Sequence, residues 1–164
     1  MDTARPAPSA RDLRRDEAAW VAERLQAAWG SVEVVSRGRL IDPTTLPGVV
    51  VEAGSGPVGL ATYDVVGDVC ELVTINAFVD GLGVGAALVE AVCDRARAHG
   101  CRRLWLITTN DNTHALRFYQ RHGFRLVDLH LGAIEESRRL KPAIPLIGND
   151  AIPIRDELEL ARDL

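Results

Sequence analysis

The sequence lacks a long apolar run, has few cysteines, and shows no large excess of charge of either sign. Its 164 residues carry 19 Lys and Arg against 23 Asp and Glu, a formal net charge of −4, so nucleic acid and anionic membranes are not favoured as partners. No apolar stretch approaches the ~18–20 residues that span a bilayer. The first residues, MDTARPAPSARDLRRD, lack the apolar core of a secretory signal. We therefore expect a cytoplasmic protein with neither a nucleic-acid nor a membrane partner.

The three cysteines, Cys70, Cys93 and Cys101, are an odd number, and no two of them have C-x-x-C spacing. This spacing favours neither a zinc site nor a disulfide framework, and no metal is predicted. Cys93 falls within an apolar helical pattern, which is typical of a small buried hydrophobe rather than a catalytic nucleophile.

The length is that of one domain, here residues 1–164, because domains commonly have ~100–200 residues. Apolar residues recur at helical spacing over residues 11–29, and Gly30 ends that helix. Three strands follow at 48–53, 58–66 and 69–77, and the last two form an antiparallel hairpin. Residues 31–48 mix Val with Gly and Pro and predict an irregular, exposed segment.

The second half of the sequence predicts alternating helices and strands. Gly100 and Gly123 are placed to end two of the helices. The predicted order is helix 84–99, strand 102–109, helix 113–122, strand 124–131, helix 133–140 and a last strand within DELELARDL. Hairpins together with a crossover make this a mixed α/β domain.

Residues 80–92, DGLGVGAALVEAV, place three glycines between a strand and a helix. The first N–H groups of a helix lack intrahelical partners and lie at the positive end of its dipole, so this stretch suits a phosphate group. A tight turn that needs positive φ at glycine explains it equally well. A Rossmann dinucleotide site is disfavoured, because Leu88 stands where its third Gly belongs and antiparallel strands precede the motif.

Residues 110–124, NDNTHALRFYQRHGF, form the second informative stretch. Asn112 is a good N-cap, and Gly123 ends the helix. Ala115 and Tyr119 are four residues apart and share a face, where the small Ala leaves room for a ligand beside the Tyr. A half-buried core aromatic is the alternative interpretation of Tyr119.

Together the two stretches resemble the GNAT superfamily of acetyl-CoA-dependent N-acetyltransferases. In that family a motif of the form Arg/Gln-x-x-Gly-x-Gly/Ala follows a central strand. A second motif, N-x-x-A-x-x-F-Y-x-x-x-G-F, lies on the next helix. The helix motif is present in full, at Asn112, Ala115, Phe118, Tyr119, Gly123 and Phe124. The first motif is present at Gly83 and Gly85, but Asp80 stands where Arg or Gln is usual. The resemblance covers residues 45–131.

The resemblance implies an α/β domain of α+β type, with a mixed, mostly antiparallel central sheet, splayed central strands and helices on both faces. It implies that acetyl-CoA binds as co-substrate between the splayed strands, with its pyrophosphate on the amides of the glycine loop. The residues that it assigns to the co-substrate are Val73, Ile75, Gly81, Leu82, Gly83, Val84, Gly85, Ala86, Asn112 and Tyr119.

The resemblance also implies direct transfer of the acetyl group to a primary amine in a ternary complex, with Tyr119 as the general acid. Glu71 has even spacing from Val73 and Ile75, which predicts one shared strand face and makes Glu71 a candidate base, directly or through a water. A solvated strand carboxylate is the alternative, and Glu52 and Asp64 are other candidate bases.

The acceptor is predicted to be a small molecule or a protein amine. Arg37 and Arg39 in SRGRL are either solvated or bind an anionic group of that acceptor. A non-catalytic acyl-CoA-binding or sensor module is the alternative function. A homodimer through the last strands is consistent with the resemblance.

Overall fold

A computed structural model describes residues 8–54 and 56–164. The strands are β1 Ser9–Asp12, β2 Val34–Ser36, β3 Arg39–Ile41, β4 Gly48–Ala53, β5 Gly56–Val66, β6 Val69–Ala77, β7 Arg103–Thr109, β8 Arg125–His130 and β9 Glu157–Asp163. The helices are α1 Ala18–Trp29, α2 Val84–Ala98, α3 Thr113–Arg121 and α4 Ala133–Leu140. Short 3₁₀ turns cover Arg15–Glu17, Pro43–Thr45 and Asn149–Ala151. Among the described residues no helix is long and apolar enough to cross a membrane.

Seven strands form one sheet in the order β1-β4-β5-β6-β7-β9-β8, and β2 and β3 form a separate hairpin. Every neighbouring pair in the large sheet is antiparallel except β6 and β7, which are parallel. The predicted mixed, mostly antiparallel sheet is therefore confirmed. The parallel pair needs a crossover, and α2 supplies it.

Both faces of the sheet are covered, which explains the unbroken apolar run in β4. Val49 and Val51 belong to the core beneath α2, whereas Val50 packs with Leu60 and α1 on the opposite face. Alternate residues of a strand point to opposite faces, so a strand that is buried on both faces carries consecutive apolar residues. The prediction of helices on both faces is confirmed.

The first helix begins later than the sequence predicts. Arg11 and Asp12 lie in β1, which pairs with β4 at the sheet edge, and a 3₁₀ turn precedes α1. Arg11 donates to carboxylate oxygens of both Glu17 and Glu52, at 2.8 Å each, so its ion pairs hold this segment against the sheet. Gly30 ends α1 as predicted, with φ of 70°. For residues 1–10 the sequence predicts either a short first strand or a loose arm; β1 begins at Ser9, and residues 1–7 lie outside the described part.

The prediction of an irregular, exposed segment after α1 is wrong. Residues 34–41 form the β2–β3 hairpin, whose turn has Arg37 at φ 48° and Gly38 at φ 72°. The hairpin is held against the sheet by contacts of Ser36, Arg37 and Arg39 with sheet residues. Those partners are distant in sequence, so a local pattern of Gly and Pro does not reveal them.

Candidate functional site

The two central strands separate at the middle of the sheet. β6 pairs with β7 only over residues 69–71, opposite 103–105. Beyond Glu71 and Trp105 the two strands have no ladder between them, although β6 continues to Ala77 and β7 to Thr109. This part of β6 stays paired to β5 on its other side, so its outward backbone groups face the gap and are available to a ligand.

A β-bulge at Val73 marks the point of separation. In the β5–β6 register Tyr63 lies opposite Leu72 and Thr62 opposite Thr74, so Val73 is the extra residue. The bulge contradicts the prediction that Glu71, Val73 and Ile75 share one face. Ile75 packs against the core beneath α2, whereas the partner of Glu71 in β5 is three residues from that of Ile75 and so faces the other side.

A cavity of about 560 Å³ occupies the gap and extends beneath α1 and α4. Its walls at the splayed strands include Val73, Thr74, Ile75, Ile107, Thr108 and Thr109, and those from α2 and α3 include Gly85, Asn112, Ala115 and Tyr119. The far end is lined by Trp29, Glu33, Ile134, Ser137, Lys141, Ile144, Ile154 and Glu157. One side of this cavity thus joins half of the predicted co-substrate residues, since Gly81, Leu82, Gly83, Val84 and Ala86 are not among its lining, and the other side is built by α4 and the segment after it.

The glycine loop, residues 81–86, leads from β6 to α2, and Gly85 is its residue in the cavity lining. Gly81 and Gly83 have φ of 78° and 67°, and Gly83 is the N-cap of α2. The first bond of the helix runs from the Ala87 amide to the Gly83 carbonyl, so the preceding amides of the helix lack intrahelical acceptors. Asp80 is exposed. The loop therefore has the positive-φ glycines of a tight turn, and it also presents N–H groups that have no intrahelical acceptor.

Gly85 is needed for a different reason. A Cβ built on Gly85 would lie 3.0 Å from Cζ of Phe118 and 3.1 Å from Cε2, so α2 and α3 approach each other closely here. Phe118 also packs edge-on against Tyr119, with ring centroids 5.3 Å apart. The first turn of α2 and the helix that carries Tyr119 are thus held together directly.

Tyr119 is 7% exposed and lines the cavity. Its ring packs against Phe124, with centroids 5.4 Å apart. Burial raises the pKa of the Tyr119 phenol, and no hydrogen bond within the described part of the chain opposes that effect. The hydroxyl therefore stays protonated at neutral pH and has a proton to donate.

Asn112 and Ala115 build the start of α3. The Asn112 side chain accepts from the Ala115 amide at 3.1 Å, which confirms the predicted N-cap. Both residues line the cavity together with Tyr119. The small side chain of Ala115 leaves the space beside Tyr119 open.

Glu71 is only 4% exposed, but it lines a second cavity of about 530 Å³ rather than the larger one. Its carboxylate accepts from the Ser36 hydroxyl and, at 2.5 Å, from the Arg39 guanidinium. Asp64 lines the same second cavity, and Glu52 is bound by Arg11 at the sheet edge. The structure thus separates all three candidate bases from the lining of the larger cavity.

The two arginines of the β2–β3 turn contact carboxylates of the protein itself. Arg39 binds Glu71, and Nε of Arg37 lies 3.8 Å from a carboxylate oxygen of Glu159. The Arg37 guanidinium also lies over the Trp105 ring, 5.4 Å from its centroid. The two arginines of SRGRL thus bind carboxylates of the protein itself and fix the hairpin on the sheet.

Sequence reasoning missed Glu157, the first residue of β9. It is 2% exposed, and it lines the larger cavity. Ser137 Oγ lies 3.2 Å from Oε1, and the Arg37 amide donates to Oε2 at 3.2 Å. The sequence gives little indication that Glu157 is buried, because a carboxylate at the start of DELELARDL resembles an ordinary charged surface residue. Only the packing of α4 and the β2–β3 hairpin buries it.

The three cysteines are buried. Burial raises the pKa of the Cys70 thiol to about 12 and also raises the pKa of Cys93 and of Cys101. Since the thiolate is the reactive form, this burial disfavours a nucleophilic role. The prediction that Cys93 is a small buried hydrophobe is confirmed.

Comparison with known proteins identifies the family to which this chain belongs. The model of the Acetyltransferase (GNAT) family matches residues 8–124. The uncharacterized protein YxbD of Bacillus subtilis (strain 168) is 39% identical over 141 residues, which are 85% of this chain and 89% of the relative.

Solved acetyltransferase structures share the fold over nearly the whole chain. An IAA acetyltransferase from Bacillus cereus superimposes with a TM-score of 0.68 at 18% identity, over 96% of this chain and all of that one. A GNAT family acetyltransferase from Elizabethkingia anophelis with acetyl-CoA bound also gives 0.68, at 16% identity, over 97% of this chain and 99% of its own. The splayed sheet, the glycine loop and the Asn112–Phe124 motif are thus parts of one fold, and the chain belongs to the GNAT family of acetyltransferases.

Proposed function

We propose that this protein is an N-acetyltransferase that moves an acetyl group from acetyl-CoA to a primary amine by direct transfer in a ternary complex. The observation that carries the proposal is the gap between β6 and β7, because it opens free strand backbone beside a glycine loop and a buried tyrosine in one cavity. The bound acetyl-CoA of the Elizabethkingia neighbour supports the same co-substrate here.

In this proposal the pantetheine arm lies along β6, at Val73 and Ile75, where the strand has no β7 partner. The pyrophosphate binds the amides of residues 81–86, which belong to Gly81, Leu82, Gly83, Val84, Gly85 and Ala86. A helix N-terminus with positive-φ glycines suits an anion, because the amides can approach it closely and the dipole favours negative charge. Asn112 contacts the co-substrate as well as capping α3.

Asp80 stands where the family motif usually has Arg or Gln, so it supplies no positive charge to the phosphates. In this proposal the positive charge comes from α3. A smaller cavity of about 370 Å³ on that helix is lined by His114, Arg117, Phe118, Arg121 and His122. Phe118 is the ring that contacts Gly85, so this basic face adjoins the glycine loop. Two guanidiniums next to the loop favour the phosphates of CoA without a cation at position 80.

In the transfer itself, the neutral amine attacks the thioester carbonyl, the new C–N bond forms, and the C–S bond breaks. Tyr119 gives its phenolic proton to the leaving thiolate, and the proton that the amine nitrogen loses on becoming an amide returns to the phenolate through water. A β6 amide at the bulge stabilises the negative charge that develops on the carbonyl oxygen. Glu71 lies outside the lining of the larger cavity, so in this proposal it takes the proton that the arriving ammonium loses only through intervening water.

The test combines binding with turnover. Acetyl-CoA should raise the melting temperature of the protein, whereas NADH should not. Release of the CoA thiol in the presence of a panel of primary amines should then exceed release without amine. Binding without release from any amine would instead support a non-catalytic acyl-CoA-binding module, and no binding would contradict both functions.

A further inference from the structure

The carboxylate of Glu157 is buried and has no positively charged partner among the described residues. Both oxygens accept hydrogen bonds, but the donors are neutral, a hydroxyl and a backbone amide. The single hydroxyl proton of Ser137 is also shared with the Ala133 carbonyl, 3.1 Å away. Among the ion pairs of the described residues none includes Glu157, whereas Glu71 has Arg39 and Glu159 has Arg37 and His130. A buried carboxylate without a cation is costly unless a ligand supplies the cation.

The surroundings of Glu157 show where such a ligand would lie. Glu157 stands opposite Thr109, the last residue of β7, and both line the same cavity as Tyr119. Apolar walls of the same cavity come from Trp29, Ile134, Ile144 and Ile154. Lys141 is the cation of this end, but its ammonium donates to the Glu33 carbonyl at 2.8 Å.

We propose that Glu157 binds the ammonium group of the acceptor, and that the acceptor is therefore a cationic primary amine carried on an apolar body. This inference rests on the proposed function and narrows its acceptor class. A carboxylate that is desolvated and already fixed in the cavity wall binds a cation with little reorganisation. A second negative group on the acceptor, next to its amine, is repelled by the same carboxylate.

The test uses three probes that share one body: phenethylamine is a cation, phenylalanine a zwitterion and 3-phenylpropionate an anion. Each is added at constant ionic strength to the full chain saturated with CoA, and binding is read by thermal shift and calorimetry. Phenethylamine should bind the wild type most tightly, phenylalanine more weakly, and 3-phenylpropionate not at all.

Glu157→Gln should weaken phenethylamine binding by about 10- to 100-fold. The amide keeps both local contacts, because its oxygen accepts from the Arg37 amide and its nitrogen donates to Ser137 Oγ. The melting temperature of the free variant should equal or exceed that of the wild type, since an unpaired buried charge is removed. Glu159→Gln is the matched control: it breaks the contacts with Arg37 and His130, so it should lower the melting temperature and leave phenethylamine binding intact.

A purely structural role for Glu157 predicts the reverse pattern. In that case Glu157→Gln would destabilise the protein as Glu159→Gln does, and phenethylamine would bind both variants and the wild type alike. No phenethylamine binding to the wild type, or preference for 3-phenylpropionate, would also overturn the inference. Acetyl-CoA binding and amine-dependent thiol release are measured separately, so failure of the proposed function is distinguished from failure of this acceptor assignment.

Discussion

The Tyr119 hydroxyl gives the sharpest test of chemistry at a single residue. The phenol lies in the cavity wall, and its hydroxyl has no hydrogen-bond partner among the described residues, so the fold does not need it. Tyr119→Phe should therefore lower kcat by ~10²–10⁴, the usual contribution of a general acid, and leave KM for acetyl-CoA nearly unchanged. Initial rates of CoA thiol release at saturating acetyl-CoA measure this.

The other tyrosine of the chain provides the control for that substitution. Tyr63 is buried in the core on β5 and lies outside the cavity lining. Tyr63→Phe should keep kcat within about twofold of the wild type, because it removes a hydroxyl at a distance from the site. If Tyr119→Phe and Tyr63→Phe have the same kcat, Tyr119 has no part in proton transfer.

Asp80 is the residue at which this chain departs from the usual family motif. Its side chain is exposed, and it precedes the loop whose amides would hold the pyrophosphate. Asp80→Arg should lower KM for acetyl-CoA by about two- to fivefold at low ionic strength, since an exposed charge near a helix N-terminus contributes a few tenths to about 1 kcal/mol.

Salt dependence and a neutral variant test whether the change in KM for acetyl-CoA comes from the charge at position 80. The gain should shrink in high salt, because screening weakens interactions between exposed charges. Asp80→Asn should give a smaller gain than Asp80→Arg, as it removes the negative charge without adding a positive one. An unchanged or higher KM in Asp80→Arg would show that Asp80 does not weaken the phosphate site.

At the scale of elements, the close approach of α2 and α3 at Gly85 predicts a measurable coupling. Alanine is normally better than glycine within a helix by about 0.8–1.0 kcal/mol. Here its Cβ would lie 3.0 Å from the Phe118 ring, so Gly85→Ala should destabilise the protein and raise KM for acetyl-CoA. The free energy of unfolding in urea measures the first effect.

A double-mutant cycle tests the proposed cause of that destabilisation. In a Phe118→Leu background the ring is absent, and Gly85→Ala should become neutral or stabilising. The coupling free energy between the two positions should be about 0.5–2 kcal/mol. Additive effects, within about 0.3–0.5 kcal/mol, would show that the contact does not constrain the helices.

The elements themselves were largely predictable, because periodicity and caps are local. β4, β6 and α4 have the predicted bounds, and Gly30 and Asn112 end and begin helices as expected. The bulge at Val73 was not predictable, since it depends on the register with β5. It places Glu71 on the opposite face from Ile75, and so changed the candidate site although the bounds of β6 were correctly predicted.

The burial of Glu157 shows the same limit for the site. Tyr119, Asn112 and the glycines stand in recognisable local motifs, so the sequence places them. Glu157 is buried by α4 and by the β2–β3 hairpin, which lie about 20 and 120 residues away along the chain. Contacts of that separation leave no short pattern in the sequence.

At the scale of the whole molecule, the ion pairs of Arg11 predict how the fold responds to acid. They join β1, the turn before α1 and β4, through Glu17 and Glu52. The hydrogen bond from Arg11 is the main reason that the pKa of Glu17 falls from 4.5 to about 2. A depressed carboxyl pKa stabilises the folded state fully above pH 4.5, and this contribution is lost as the pH falls from 4.5 towards 2.

Glu17→Gln removes that contribution at every pH. At pH 6 it should lower the free energy of unfolding by on the order of 1–3 kcal/mol, and the difference from the wild type should shrink steadily as the pH is lowered to 3. Urea unfolding at several pH values measures this difference. Asp16→Asn is the control, because the neighbouring Asp16 side chain is 82% exposed, against 12% for Glu17. A difference between Glu17→Gln and wild type that does not vary with pH would show that Glu17 stabilises the fold by packing alone, since only a titrating carboxylate loses its contribution in acid.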